Sequence, residues 1–174
     1  INDMKNVGTK VWKALESCLH FIVYRILHIK LSEDKWNAFM QFVRFGIVGV
    51  SNTVISYVIY VVVLLLLQKC QALPRIDYLV ASVIAFILSV LWSFYWNNKY
   101  VFQKNDGENR SIWQALLKTY ISYAFTGLFL NSILSVVWVE VFNWPKLIAP
   151  IINLLISVPL NFILNKFWAF RSKK

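Results

Sequence analysis

The sequence predicts an all-α membrane protein: four transmembrane helices forming two parallel two-helix repeats, preceded by an amphipathic cytoplasmic helix. Three observations predict it. With 59% hydrophobic and only 15% charged residues, the 174-residue chain is too apolar for an ordinary soluble domain. Four apolar stretches, 45–67, 78–97, 117–140 and 146–165, match the roughly 20 residues that a membrane-crossing helix needs. Away from their ends they contain no Asp, Glu, Lys, Arg or His. Third, one pattern occurs twice. SFYWNNKYVF (93–102) and NFILNKFWAF (161–170) each close a pair of apolar stretches, so that Phe94 matches Phe162, Asn97 matches Asn165, Tyr100 matches Trp168 and Phe102 matches Phe170. A repeat of this kind points to two related halves. The division is an N-terminal segment, 1–38, and a transmembrane domain, 39–171.

Each element has its own signal. Over residues 9–30, Trp12, Leu15, Leu19, Ile22, Ile26 and Ile29 recur at alternating steps of three and four, with Lys13, Ser17, His20 and Tyr24 on another face. With two His and several charges this segment is a poor spanning helix. It is placed on the inner leaflet in preference to packing against a second copy. Ser32, Glu33 and Asp34 start the next helix, with a hydroxyl cap and acids in its first turn, and that helix runs through Arg44 into the first span. Gly46, Gly49, Ser51, Asn52 and Thr53 give it a small, polar face suited to close helix approach. Residues 71–75, with Pro74, make a short outer turn, and Asn143-Trp144-Pro145 the second. Gln103 to Ser111, with the turn pair Asp106-Gly107, joins the halves inside. Trp36, Trp96, Trp113, Trp144 and Trp168 fall near interfaces, as an aromatic belt requires. Pro159, inside the fourth span, is expected to kink it or to free the Leu155 carbonyl.

Orientation follows from the cations. Fifteen Lys and Arg lie before the first span, around the second loop or in the tail; only Lys69, Arg75 and Lys146 lie on the other side. The positive-inside rule places both termini in the cytoplasm; a bacterial plasma membrane is the expected location. The net charge of +10 is spread as brackets around the spans instead of one basic face, so nucleic acid is not the partner. Cys18 and Cys70 fall on opposite sides and cannot pair, and two Cys without His spacing form no metal site. His20 and His28 read as solvated or interfacial. No cofactor motif is present, and no cleavable signal peptide is expected, because the first strong apolar span begins only near Phe45.

The spans hold no nucleophile with its base, no carboxylate pair and no proton-loading carboxylate, so neither hydrolysis nor proton antiport is indicated. A small multidrug exporter is disfavoured on the same ground. What remains is a set of amides and hydroxyls with cations at the rim. Asn161 and Asn165 are four apart and share a helix face, as do Ser93 and Asn97, while Asn52 and Arg44 fall at a similar depth on the first helix. Together they outline a cytoplasm-facing pocket. In it Asn52, Ser93, Asn97, Asn161 and Asn165 meet sugar hydroxyls, and Arg44, Lys99 and Lys166 meet an anionic phosphate. The competing reading is that the amides bridge helices while the cations snorkel to the interface.

VRFGIVGVSNT (43–53), with both halves ending in F-x-x-N-x-x-aromatic-x-F, resembles the GtrA-like family of small four-helix membrane proteins over residues 40–171. The resemblance implies a role in cell-surface polysaccharide synthesis, including O-antigen glucosylation and teichoic acid glycosylation. It implies a non-enzymatic protein that moves a polyprenyl-phosphate-linked monosaccharide across the cytoplasmic membrane. Arg44, Asn52, Asn97, Asn161 and Asn165 match the family's motifs. The first-half copy has Ser93 and Asn98 where the family pattern favours Asn and a basic residue. Pro150 stands where members often carry a Lys, with Lys146 four residues earlier. Partners implied are the polyprenyl-phosphate-sugar lipid and membrane lipids, with a second copy of the chain also considered. The rival reading is a non-transporting subunit that anchors a polyprenyl-phosphate glycosyltransferase.

Overall fold

A computed structural model describes residues 12–103, 109–145 and 148–171, without the side chain of Pro150. The chain forms two compact units, 1–41 and 42–174. In the first, helix α1 covers residues 12–26 and ends in a wider π-type turn, Phe21–Ile26. His28 closes it with a left-handed φ of 54°, and the Ile29 N–H bonds back to the Val23 carbonyl at 3.0 Å. The wider turn shifts the face expected from a regular helix. Val23 points inward, against Trp36 and Met40, whereas Ile26 and Ile29 are exposed. Trp36 is therefore buried here instead of free to anchor at an interface. His20 stacks on Tyr24 at 4.2 Å and meets the Trp36 ring edge-on at 5.2 Å.

Four helices are long and apolar enough to cross a membrane. Helix α2, Glu33–Lys69, carries Glu33 and Asp34 in its first turn, as its sequence requires. Helix α3 is Asp77–Trp96 extended by a π-type turn, Asn97–Val101. Helix α4, Ile112–Val141, begins at the cap residue Ser111 and widens twice, over Phe125–Leu130 and Val137–Val141. Helix α5 is Ala149–Leu164, running through Pro159 without a break and extended by Asn165–Ala169. The Asp106-Gly107 turn and Lys146 lie outside the described residues.

Side-chain contacts in the second unit close a ring of antiparallel neighbours. Trp92 Nε1 donates to Ser51 Oγ at 3.2 Å between α3 and α2. Tyr120 OH donates to the Ile87 carbonyl at 2.6 Å between α4 and α3. Trp138 Nε1 donates to Asn153 Oδ1 at 2.9 Å between α4 and α5, and Phe162 of α5 packs on Phe42 and Phe45 of α2. Asn153 Nδ2 reaches Ser135 Oγ at 2.8 Å, so this buried amide fastens the C-terminal part of α4 to the N-terminal part of α5. Gln71 and Leu73 take positive φ in the turn after α2, and Asn143 does so after α4.

The bundle buries a polar layer beside an aromatic cluster that includes Phe45, Phe94, Phe102 and Phe170, and its outer surface is largely apolar. Apart from Val90, its largest fully buried side chains are Asn97, Asn165, Thr119, Thr126, Ser93 and Ser122, whereas Val50 and Leu128 are about 70% exposed. In lipid there is no hydrophobic gain in hiding Leu from Leu, so helix association rests on close packing and hydrogen bonds between helices. The glycines of α2 do not serve that packing, contrary to expectation. A Cβ placed on Gly46 or Gly49 would meet nothing within 4 Å, because α2 touches its neighbours through longer side chains such as Phe42 and Phe45.

The duplicated pattern is visible in three dimensions. Both α3 and α5 widen at their matching Asn: the Phe102 N–H bonds to the Asn97 carbonyl at 2.7 Å, and the Phe170 N–H to the Asn165 carbonyl at 2.8 Å. Phe94 stacks on Phe170 at 5.4 Å, and the equivalent pair, Phe162 and Phe102, lies at 5.9 Å. Phe102 and Phe170, which are each other's equivalents, stack at 4.7 Å. Reciprocal contacts, with equivalents meeting each other at the centre, are the pattern a two-fold relation produces. The two halves are thus related by a pseudo-two-fold axis through this ring pair.

Candidate functional site

The matched amides belong to a buried polar layer organised by α4. Asn97, fully buried, donates from Nδ2 to Ser93 Oγ at 3.1 Å and to Tyr123 OH at 3.4 Å. Ser93 Oγ and Tyr123 OH are 2.9 Å apart. In the second half, Asn165 Nδ2 donates to the Asn161 carbonyl at 2.8 Å, and its Oδ1 lies 3.2 Å from Thr119 Oγ1. Thr126 Oγ1 lies 2.8 Å from Asn161 Oδ1. Both threonine hydroxyls also lie 2.8–2.9 Å from the carbonyl four residues earlier, so each single proton is shared by two acceptors.

Thr119, Tyr123 and Thr126 of α4 therefore tie both amide pairs, and sequence reasoning did not single them out. Their steps of four and three put three hydroxyls on one face of an apolar helix, and that spacing was the available signal. The structure joins Ser93 to Asn97 and Asn161 to Asn165. It does not bring the lysines to them. Lys99 is exposed, donates to Tyr95 OH at 3.2 Å and sits 5.2–5.4 Å from the rings of Tyr95, Trp96 and Tyr100. Lys166, half-buried, lies 5.4 Å from the Phe162 ring and 5.7 Å from Phe167. Such cation–π contacts hold both ammonium groups on the aromatic girdle of their own helices. Arg44 is half-buried on α2.

The two matched amide pairs differ in how their oxygens are used. Asn161 Oδ1 and Asn165 Oδ1 both have a hydroxyl partner. Asn97 Oδ1, Asn52 Oδ1 and, on α4, Asn131 Oδ1 are buried and have no hydrogen-bond partner among the described residues, and the same holds for the donor Trp96 Nε1. Buried polar atoms are almost always partnered, and leaving one unmatched costs about 1–3 kcal/mol. The bundle interior thus holds acceptors and a donor with unused hydrogen-bonding capacity, which a ligand's hydroxyls or a solvent molecule entering the polar layer can satisfy.

Arg110 was read from sequence only as a topological cation, yet it spans the two halves. Its Nη2 donates to Asn98 Oδ1 at 2.6 Å and to the Phe102 carbonyl at 3.0 Å, and Nη1 donates to the Phe170 carbonyl at 3.1 Å. Its Cζ lies 5.0 Å from the centre of the Phe170 ring. One guanidinium therefore binds the terminal carbonyls of both repeats, where a helix dipole favours a cation.

Comparison with known proteins agrees with this architecture. A family model described as the GtrA/DPMS transmembrane domain matches residues 44–170. An uncharacterized membrane protein of Bacillus subtilis, YwcD, is 26% identical over 128 residues, covering 74% of this chain and 94% of that protein. The cell wall teichoic acid glycosylation protein GtcA of Listeria monocytogenes is 26% identical over 108 residues, covering 60% of this chain and 72% of that protein.

Proposed function

The chain belongs to the GtrA/DPMS transmembrane-domain family, and from that premise we propose that it flips a polyprenyl-phosphate-linked monosaccharide across the cytoplasmic membrane for cell-surface glycosylation. Similarity to a protein named for teichoic acid glycosylation supports the pathway class. One observation in the structure supports the mechanism: the buried carbonyl oxygens of Asn97 and Asn52, unmatched among the described residues. A sugar is a dense array of hydroxyl donors, and these two acceptors together with Trp96 Nε1 offer it both hydrogen-bonding roles.

The polyprenyl tail stays in lipid while the headgroup crosses along the polar layer. No bond is made or broken. With the cell interior negative, moving one negative charge outward gains roughly 2.3 kcal/mol per 100 mV, and consumption of the sugar outside draws the exchange further. The test is reconstitution in sealed proteoliposomes loaded with labelled lipid-linked sugar. Protein-dependent exposure of the headgroup on the opposite leaflet is expected. Inert vesicles containing folded protein, with a glycosyltransferase copurifying stoichiometrically from native membranes, would shift the reading to an accessory subunit.

A further inference from the structure

Beside Arg110 lies a cavity of about 410 Å³ that the amide layer does not use. Its lining includes Asn109, Arg110, Ser111, Gln114, Lys118 and Arg171. Three of these are cations, all six side chains carry hydrogen-bond donors, and no carboxylate lines the cavity among the described residues. Ordinary ligand pockets run from about 300 to 1,000 Å³, so the space suits a headgroup better than a single water.

The geometry points to this cavity as the phosphoryl-binding site of the lipid-linked substrate, an inference that rests on the proposed flippase reading and adds where its charge is held. Arg110 cannot swing away, because both repeat ends and Asn98 fix its guanidinium, so its charge is already in place at the wall. Lys118 is half-buried; it gives one ammonium proton to the Trp168 carbonyl at 3.2 Å and has two more to donate. Ser111 caps α4, accepting from the Gln114 N–H at 3.5 Å, so the positive end of that helix opens on the same space. Placing three like charges around one cavity is unfavourable until an anion occupies it. The site also adjoins the amide layer, since Ala115 lines the cavity and its carbonyl accepts from Thr119 Oγ1, the partner of Asn165. A phosphate held here leaves the attached sugar within the polar end of the bundle. Lys99 and Lys166 do not line this cavity.

The experiment measures binding of a polyprenyl phosphate to the purified full-length protein in nanodiscs, against the uncharged polyprenol and against inorganic phosphate. Tight binding of the phosphate lipid is expected, at least about ten-fold weaker binding of polyprenol, and little displacement by inorganic phosphate, since one charge-assisted contact is worth about ten-fold or more. Lys118→Gln should weaken the phosphate lipid about ten-fold, Arg171→Gln several-fold, and the pair more than either, while polyprenol binding stays unchanged. Arg171 is exposed, so its variant leaves the fold intact even if Lys118→Gln perturbs the contact with Trp168. Unchanged affinity in both variants, with transport intact, overturns this site and leaves the flippase reading standing. Displacement by inorganic phosphate at the concentration of the lipid assigns the cavity to a free anion and overturns the lipid source. Wild-type protein that neither binds nor moves the phosphate lipid overturns both readings.

Discussion

Asn97 and Asn165 look alike in the sequence and differ in their surroundings. Asn165 uses both ends of its amide, toward the Asn161 carbonyl and Thr119, so Asn165→Leu should lose two hydrogen bonds, about 1–3 kcal/mol, and lower the melting temperature in detergent. Asn97→Leu loses the bonds to Ser93 and Tyr123 but also removes a buried oxygen that has no partner among the described residues. These effects offset, so its melting temperature should move little while transport falls several-fold to about a hundred-fold. The pair is measured by thermal unfolding and by headgroup flipping in vesicles. An Asn97→Leu protein that unfolds readily yet transports normally makes this amide a helix bridge. The matched positions were legible because the pattern repeats. Their partners were not, since Thr119, Tyr123 and Thr126 come from the helix between the two copies, and local spacing does not show which neighbour a hydroxyl will meet.

Among the elements, helix extents followed from length and apolarity, and the start of α2 from its acids. The wider turns did not. A 3.6-residue period carries no mark of the place where a helix takes up an extra residue, yet both Asn97 and Asn165 begin such a turn. That widening brings the ends of α3 and α5 to one guanidinium. Arg110→Lys keeps the charge but replaces a planar fork with a point charge that cannot serve three oxygens in fixed directions. With each bond from a charged donor worth about 1.5–3 kcal/mol, Arg110→Lys should lower the melting temperature clearly and expose the ends of α3 and α5 to protease. A lysine variant as stable as wild type would show that the bridge between the halves is dispensable. Gly46 and Gly49 make the opposite point: small residues in a span signalled close approach, and the open space beside them shows that larger neighbours set the helix spacing.

For the molecule as a whole, the excess of cations on one side predicts that both termini face the cytoplasm. Cys18 and Cys70 are both exposed. An impermeant thiol reagent added to intact cells should label Cys70 and spare Cys18; the reverse pattern would invert the topology and with it the direction of the inferred transport. The first unit has its own core of Val23, Trp36 and Met40, and the duplicated pattern lies wholly in the second. Deleting residues 1–30 should therefore leave four spans protected from protease in membrane vesicles. Failure to insert would make the N-terminal segment part of the transmembrane core. Both the repeat and the four spans were legible because the bilayer sets a strict length and duplication preserves spacing. The polar interior was legible only in part, because which amide finds a partner depends on tertiary contacts.

The stacked pair of Phe102 and Phe170 has a historical consequence. Two separate copies of a two-helix ancestor, meeting as a homodimer, would have placed one and the same phenylalanine against itself at their dyad. Gene fusion then removes the need for the two copies to stay identical, and each can specialise. Here Asn165 and Asn161 of the second copy have partnered oxygens, whereas Asn97, the equivalent of Asn165, keeps an oxygen with no partner among the described residues. The ring pair is the seam at which two like halves meet and from which they diverge.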